Sequence, residues 1–308
     1  MVDLKIKLPE HFLEEEIRDG YTVSSEMKQV WAVLLDLLNE FMRVCEKHHI
    51  CWYADAGTIL GAVRHKGMIP WDDDIDVMMM RDEYNKLCAI AKEEFKSPYF
   101  FQTEYTDKGS LRGHAQLRNS MTTGILAVEK NKECPWNQGI FLDIFPIDVV
   151  PVEEKERLYF IDALQKLRGK SSCLYWNIER FSFKRHKKNI TAFKLLIKKI
   201  LSCVLKKYDY RTYYIEYEKE ASKYNGTASP FVAKLSLLPF KPRRLWQREW
   251  LKERIWLPFE NIKIAVPIGY RELLNQFYGN WEEYVIGTST HGGVFFDVDK
   301  PYTEYLKR

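Results

Sequence analysis

Apolar residues recur at three- and four-residue spacing from Val30 through Leu34, Leu37, Leu38, Phe41 and Cys45, so Ser25–Lys47 is predicted to be a helix with one buried face. Ile50–Ala54 reads as a short strand, and Gly57–Val63 as a turn opening into a short helix. From Asp74 to Met80 the chain alternates carboxylate and apolar residues before becoming wholly apolar. That is a strand, and its period of two puts Asp74 and Asp76 on one face. Asp82–Phe95 is predicted to be a helix, and Tyr99–Thr103 and His114–Arg118 strands. Gly139–Phe145 is an apolar strand with one carboxylate, Asp143, and Pro146 and Pro151 are expected to bracket its exit. Glu153–Tyr175 and Lys187–Tyr224 read as helices, Phe259–Val266 as a strand, and Tyr270–Phe277 as a helix stopped at Gly279.

This order implies a mixed α+β fold in one catalytic unit. Residues 25–152 form the core, 153–230 a helical insertion, and 231–308 a C-terminal part that completes the site. No internal repeat or low-complexity tract interrupts it. With 46% hydrophobic and 29% charged residues, the chain is a globular protein able to bury a substantial core. A net charge of +4 is weak ground for nucleic-acid binding, and no nucleic-acid partner is expected. None of the six cysteines forms a C-x-x-C pair, which suits reduced thiols. The charged N-terminus lacks an apolar signal core, and no run is long enough to span a bilayer. The expected location is the cytoplasm, free or against the inner face of the membrane.

Charge placement is more informative than its sum. Asp74 and Asp76 can hold a hard cation between them, and Asp143 on a neighbouring strand would complete an oxygen cage. Mg²⁺, or Mn²⁺ in its place, suits such a site because it takes few carboxylates, keeps waters and binds substrate phosphates. A calcium loop fits less well, since these ligands are far apart in sequence. A D-x-D pair alone fits a solvated acidic turn equally well. Asp143 within Phe141-Leu142-Asp143-Ile144-Phe145 tips the balance, because a lone carboxylate in a buried strand is costly without a cation or partner. Gly57 and Thr58 at a helix start offer backbone N–H groups and a hydroxyl to a phosphate.

The run Asp55-Ala-Gly-Thr-Ile-Leu-Gly-Ala-Val-Arg-His-Lys-Gly-Met-Ile-Pro-Trp-Asp-Asp-Asp-Ile-Asp76 closely resembles the signature of the LicD family. Members of that family transfer phosphocholine and related groups and resemble polymerase-β-like nucleotidyltransferases; the fukutin-type glycan-modifying enzymes are similar. The resemblance continues through Arg43–His48, Gly139–Asp148, Phe259-Glu260, the Pro267–Trp281 stretch with Tyr278-Gly279, and His291. It spans residues 25–300 but is thin over 155–230. After Gly279 this chain lacks the acidic, proline-bearing stretch that many relatives carry.

The resemblance implies a nucleotidyltransferase-type mixed sheet with flanking helices. Asp74, Asp76 and Asp143 become the metal ligands, and Gly57, Thr58, Arg64 and Lys66 the phosphate-binding set, although Arg64 and Lys66 also fit as ordinary surface cations. A CDP-linked donor, CDP-choline first among them, would give phosphocholine to a hydroxyl of a glycan or lipid-linked glycan precursor of teichoic acid, lipopolysaccharide or capsule. Phosphoethanolamine, ribitol phosphate and sugar phosphate are alternative groups, and transfer of the nucleoside monophosphate itself is an alternative reaction. A non-catalytic membrane-surface scaffold is a third reading, which three converging carboxylates argue against. His291 and His65 are general-base candidates, with Asp148 or a ligand carboxylate in reserve. Residues 180–207 mix ten lysines and arginines with apolar positions. They read either as a basic amphipathic helix for an anionic lipid surface or as a packed helix with a solvated basic face.

Overall fold

The computed structural model describes residues 2–129, 134–179, 192–205, 209–237, 239–287 and 293–306. A small hairpin, β1 (Glu16–Arg18) and β2 (Tyr21–Val23), precedes α1 (Ser25–Lys47). Ser24 caps α1 by accepting the Met27 N–H at 3.3 Å, which is why the helix begins where the apolar periodicity begins. Next come β3 (Tyr53–Ala54), α2 (Ala56–Arg64), β4 (Asp76–Met80), α3 (Arg81–Glu94), β5 (Tyr99–Gln102), β6 (Ala115–Asn119) and β7 (Thr123–Leu126).

The long strand β8 (Ile140–Val149) is the spine of a seven-stranded mixed sheet. β4 runs parallel to it, and β3 lies antiparallel to β4. β6 is antiparallel to the first half of β8 and carries β5 beyond it. Past the helical region, β9 (Phe231–Ala233) joins the end of β8, and β10 (Leu245–Gln247) pairs with β9. α1 lies across β6 and β8 with Trp31, Leu34, Leu35, Leu37, Leu38 and Phe41 fully buried, so its apolar face is one wall of the core.

Three strand expectations change. Residues 74 and 75 lead into β4 instead of belonging to it. β8 runs through Pro146 to Val149 and does not stop there. Asp143 donates its N–H to Ile75 O at 3.2 Å, so alternation turns the N–H positions of residues 144 and 146 away from β4. β6 releases β8 at Ile144 and β9 takes it up only at Asp148, so the missing proline N–H falls where no strand needs it. The Phe259–Val266 strand is a hairpin of β11 (Arg254–Phe259) and β12 (Ile262–Pro267). Its two-residue turn starts at Glu260 with φ 50°, as tight hairpin turns require.

The helical region holds α4 (Glu154–Leu174), a π-turn at Tyr175–Glu179, α5 (Ala192–Leu205) and α6 (Tyr210–Ala221). The single helix expected over Lys187–Tyr224 is thus two, with residues 187–191 and 206–208 outside the described part. α4 and α6 pack on each other through Phe160, Ile161, Leu164 and Tyr217. The chain ends with α7 (Tyr270–Tyr278), closed by Gly279 at φ 67°, and β13 (Val294–Asp297), which pairs with β7. Among the described residues no disulfide joins the cysteines. Among the described residues no helix is long and apolar enough to cross a membrane.

Candidate active site

The parallel register of β4 and β8 sets Asp76 directly opposite Asp143, so both carboxylates rise from the same face of the sheet. Asp74 stands two residues before Asp76 on the extended lead-in. The Asp72 carbonyl accepts the Trp31 indole N–H at 2.9 Å, which ties the acidic loop to α1. One oxygen each from Asp72, Asp73 and Asp74 lies within 4.8 Å of the others, and among the described residues these are the carboxylates that gather so closely. Asp74, Asp76 and Asp143 do not form such a set, so the tightest cluster sits one step toward the loop from the expected triad.

Burial and the neighbouring charges of Asp74, Asp143 and Asp55 push the Asp76 carboxyl well above its ordinary range, with Lys234 opposing them. Burial, Asp74 and Asp73 do the same to Asp72. Asp143 goes the other way. Burial alone would raise it, but His114 Nε2 at 3.1 Å and the Gln116 amide at 2.6 Å hold its Oδ1 below the ordinary value. His114 Nδ1 is buried without a hydrogen-bond partner, and burial holds this imidazole toward its neutral form.

The α2 N-terminus closes the site from the side of β3. Asp55 precedes the helix, its N–H bonded to the Asp76 carbonyl at 3.0 Å, and Ala56 adopts φ 40°, a strained value for a residue with a Cβ. Thr58 Oγ1 accepts the Asp76 N–H at 2.8 Å, which leaves the hydroxyl hydrogen free to point elsewhere. A Cβ on Gly57 would stand 2.9 Å from Asp72 Oδ2 and 4.0 Å from the Tyr278 hydroxyl, so this glycine is what allows loop, helix and α7 to meet. Burial, with Asp55, Asp72, Asp76 and Asp74 nearby, raises the Tyr278 phenol.

Lys234, just past β9, is buried and forms an ion pair with Asp55 Oδ2, its ammonium 4.3 Å from the centre of the Phe145 ring. The other oxygen, Asp55 Oδ1, is buried without a hydrogen-bond partner. An all-oxygen donor set, a carboxylate raised by crowded like charges and an orphaned buried carboxylate oxygen together fit a hard divalent cation. The Asp72, Asp73 and Asp74 cluster and the facing pair Asp76 and Asp143 are the carboxylates that could hold one.

The remaining predicted residues fall around this centre. Arg64 donates to the Trp281 and Glu283 carbonyls at 3.1 and 2.9 Å and lies over the Tyr284 ring, which anchors the loop after α7. His65 is committed on both nitrogens, Nδ1 to Asp19 at 2.6 Å and Nε2 to Arg64 at 3.1 Å, so it positions that loop and is not poised as a base. Lys66 is exposed, and its carbonyl accepts the Glu260 N–H at 2.8 Å. Glu260 also bonds Arg18 and the Met68 N–H, which explains the Phe259-Glu260 feature as a brace for the loop. Asp148 is buried in a two-point ion pair with Arg81 at the far end of β8 and is no base for this site. His291 lies outside the described residues.

Lys234, His114, Gln116 and Tyr278 escaped the sequence reading as site residues. Lys234 carries the same signal as Asp143, a lone charge in an apolar run, Phe231-Val232-Ala233-Lys234-Leu235.

Residues 49–160, which contain the acidic run, α2, β4 and β8, match the family described as LicD/FKTN/FKRP, nucleotidyltransferase domain. The chain is 29% identical over 277 residues to the lipopolysaccharide cholinephosphotransferase LicD of Haemophilus influenzae, covering 83% of this chain and 91% of that protein. It is 32% identical over 99 residues to an uncharacterised Rickettsia prowazekii protein, covering 32% of this chain and 35% of that one. An uncharacterised Rickettsia typhi protein is 40% identical over 50 residues, 16% of each. The acidic signature and the strand pair that presents it lie within the residues that match this family, and the similarity to the Haemophilus influenzae protein runs along most of the chain.

Proposed function

We propose that this protein is a phosphotransferase that moves phosphocholine from CDP-choline to a hydroxyl of a cell-surface glycan or its lipid-linked precursor. The observation that carries this reading is the Asp76–Asp143 pair across parallel strands, set beside the α2 N-terminus in a chain similar over most of its length to a lipopolysaccharide cholinephosphotransferase. A divalent ion, Mg²⁺ or Mn²⁺, held by Asp74, Asp76 and Asp143 would offset the charge of the donor's phosphates.

The chain's own groups orient the rest. The first-turn N–H of Gly57 and the positive end of α2 favour an anionic phosphate, and the Thr58 hydroxyl has a hydrogen to donate to it, while the Thr58 N–H is bonded to the Asp55 carbonyl at 2.9 Å. The acceptor oxygen forms a bond to the phosphocholine phosphorus. The bond from that phosphorus to the bridging oxygen breaks, and CMP leaves with the electron pair. The hydroxyl proton passes to a base. His291 is one candidate, and the raised Asp72 carboxyl, which faces Gly57, is a second. Arg64 and Lys66 act from the rim, Arg64 by holding the loop at 281–283. The nucleotidyltransferase-type architecture belongs to this same reading.

The first test is thermal denaturation with Mg²⁺ and a panel of CDP-choline, CDP-ethanolamine, CDP-ribitol, CTP and UDP-sugars. A donor at 100 times its dissociation constant should stabilise the protein by about 2.7 kcal/mol, only with metal. Product analysis then decides the reaction. Free CMP and a phosphocholine-bearing acceptor support it, whereas CMP attached to the acceptor would make the protein a nucleotidyltransferase.

A further inference from the structure

α5 reverses the usual placement of its side chains. Leu196, Ile197, Ile200, Leu201 and Val204 are 40–59% exposed, on three successive turns of one helical face. At one residue per 100° they fall within an arc of about 140°. Lys194 and Lys199, also exposed, fall outside the two edges of that arc. The helix has three lysines and no carboxylate, and in sequence the chain is basic on both sides, with Lys187 and Lys188 before it and Lys206 and Lys207 after it. α4 and α6, by contrast, bury their apolar faces on each other.

A contiguous apolar row on successive turns marks a contact surface. The helix has 14 residues, which at 1.5 Å each is about 21 Å, too short to cross a hydrocarbon core of about 30 Å. A helix of this make-up lies in the plane of a membrane interface, apolar face down and lysines at headgroup level. We propose that α5 docks this protein on the surface of an anionic lipid bilayer. Charge favours this occupant over a second copy of the chain. A second α5 would set lysines against lysines with no carboxylate on the helix to pair them, whereas anionic headgroups complement both flanks. The inference goes beyond the reaction proposed above and does not rest on it.

The test is flotation of the full chain with vesicles of phosphatidylcholine alone or mixed about 7:3 with phosphatidylglycerol, beside sedimentation equilibrium without lipid. The expected result is binding to the mixed vesicles, weakened at least about tenfold by phosphatidylcholine alone or by about 0.5 M salt. Leu196→Glu/Ile200→Glu/Val204→Glu should abolish it while circular dichroism stays unchanged. Three outcomes overturn the proposal: no binding to the mixed vesicles, equal binding by the triple variant, or a lipid-free dimer that the triple substitution dissociates. The last would assign the face to a second copy. A charge-neutral variant, Leu196→Ser/Ile200→Ser/Val204→Ser, separates the two contributions: binding that a basic surface alone produces would survive it, and such survival overturns the proposal as well.

Discussion

The sheet at β4 and β8 and the helix α5 break the same rule in opposite directions. Around Asp76 the molecule buries ionisable groups: Asp55, Lys234, His114 and Asp143 all lie beneath the surface or in the cleft. On α5 it exposes apolar side chains that any core would accept. Isolated departures of either kind are common, but clustered buried charge costs desolvation that paired groups or a ligand must offset, and clustered exposed apolar groups leave burial free energy ungained until a surface covers them. The contrast also separates roles. The buried charges are held by neighbours within hydrogen-bonding distance and are built for positional accuracy. The exposed apolar row has no such neighbours and is built for a soft, extended partner.

The comparison breaks most severely if the buried carboxylates prove dispensable. Asp76→Asn and Asp143→Asn should each lower turnover by about 10³-fold, since a metal clamp on transferring phosphate supplies several kcal/mol of charge stabilisation. Asp76→Asn should leave the metal-free protein more stable than the parent, because burial and the neighbouring carboxylates already disfavour that carboxylate. It should also cancel the stabilisation by Mg²⁺. A metal-free melting temperature below the parent's would mean that Asp76 is a structural hydrogen-bonding group.

Lys234→Met comes next. Removing one partner of a buried ion pair leaves Asp55 charged and alone, a loss of about 3–5 kcal/mol in denaturant unfolding. Adding Asp55→Asn should recover most of it, and a double variant as unstable as the single one would show that Lys234 matters through Phe145 and not through Asp55. His114→Ala acts more gently. It leaves the Asp143 Oδ1 held by the Gln116 amide alone, so Mg²⁺ affinity should fall about 10–100-fold with turnover kept at saturating metal.

These residues show where sequence reasoning succeeds. Ser25–Lys47 was legible to the residue because its apolar period and its Ser24 cap agree. The placement of Asp143 on a strand beside that of Asp76 was legible because a carboxylate in an apolar strand has few ordinary explanations. Lys234 presents the same anomaly, but a lysine can carry its charge out of an apolar stretch on a long stem, so sequence alone does not say that it stays in. Asp55 and Lys234 lie 179 residues apart, and only the pairing of β9 with β8 brings them together. The β11–β12 hairpin was hidden for a local reason. Pro258 argues against a strand, yet it is admissible on a two-stranded hairpin with an open edge. Pro146 misled in the same way, since the gap that tolerates it is a property of the neighbouring strands. Local pattern was therefore reliable wherever the constraint was local, and failed where a partner strand decided the outcome.

The smallest effect is the sharpest test of the contrast. Replacing Leu196, Ile200 and Val204 of α5 by glutamate should change unfolding free energy by no more than about 0.5 kcal/mol for each site, because these side chains are already in water. The same change at Leu34 of α1, fully buried against the sheet, should prevent folding, since it would place an unpaired charge in the core. Urea denaturation of the triple variant reads this directly. A loss of several kcal/mol would mean that the α5 face is covered in solution, and the bilayer would then have to compete with whatever covers it. An unchanged midpoint would establish that α5 contributes nothing to the fold through that face, so that its apolar row must be accounted for by something outside the molecule.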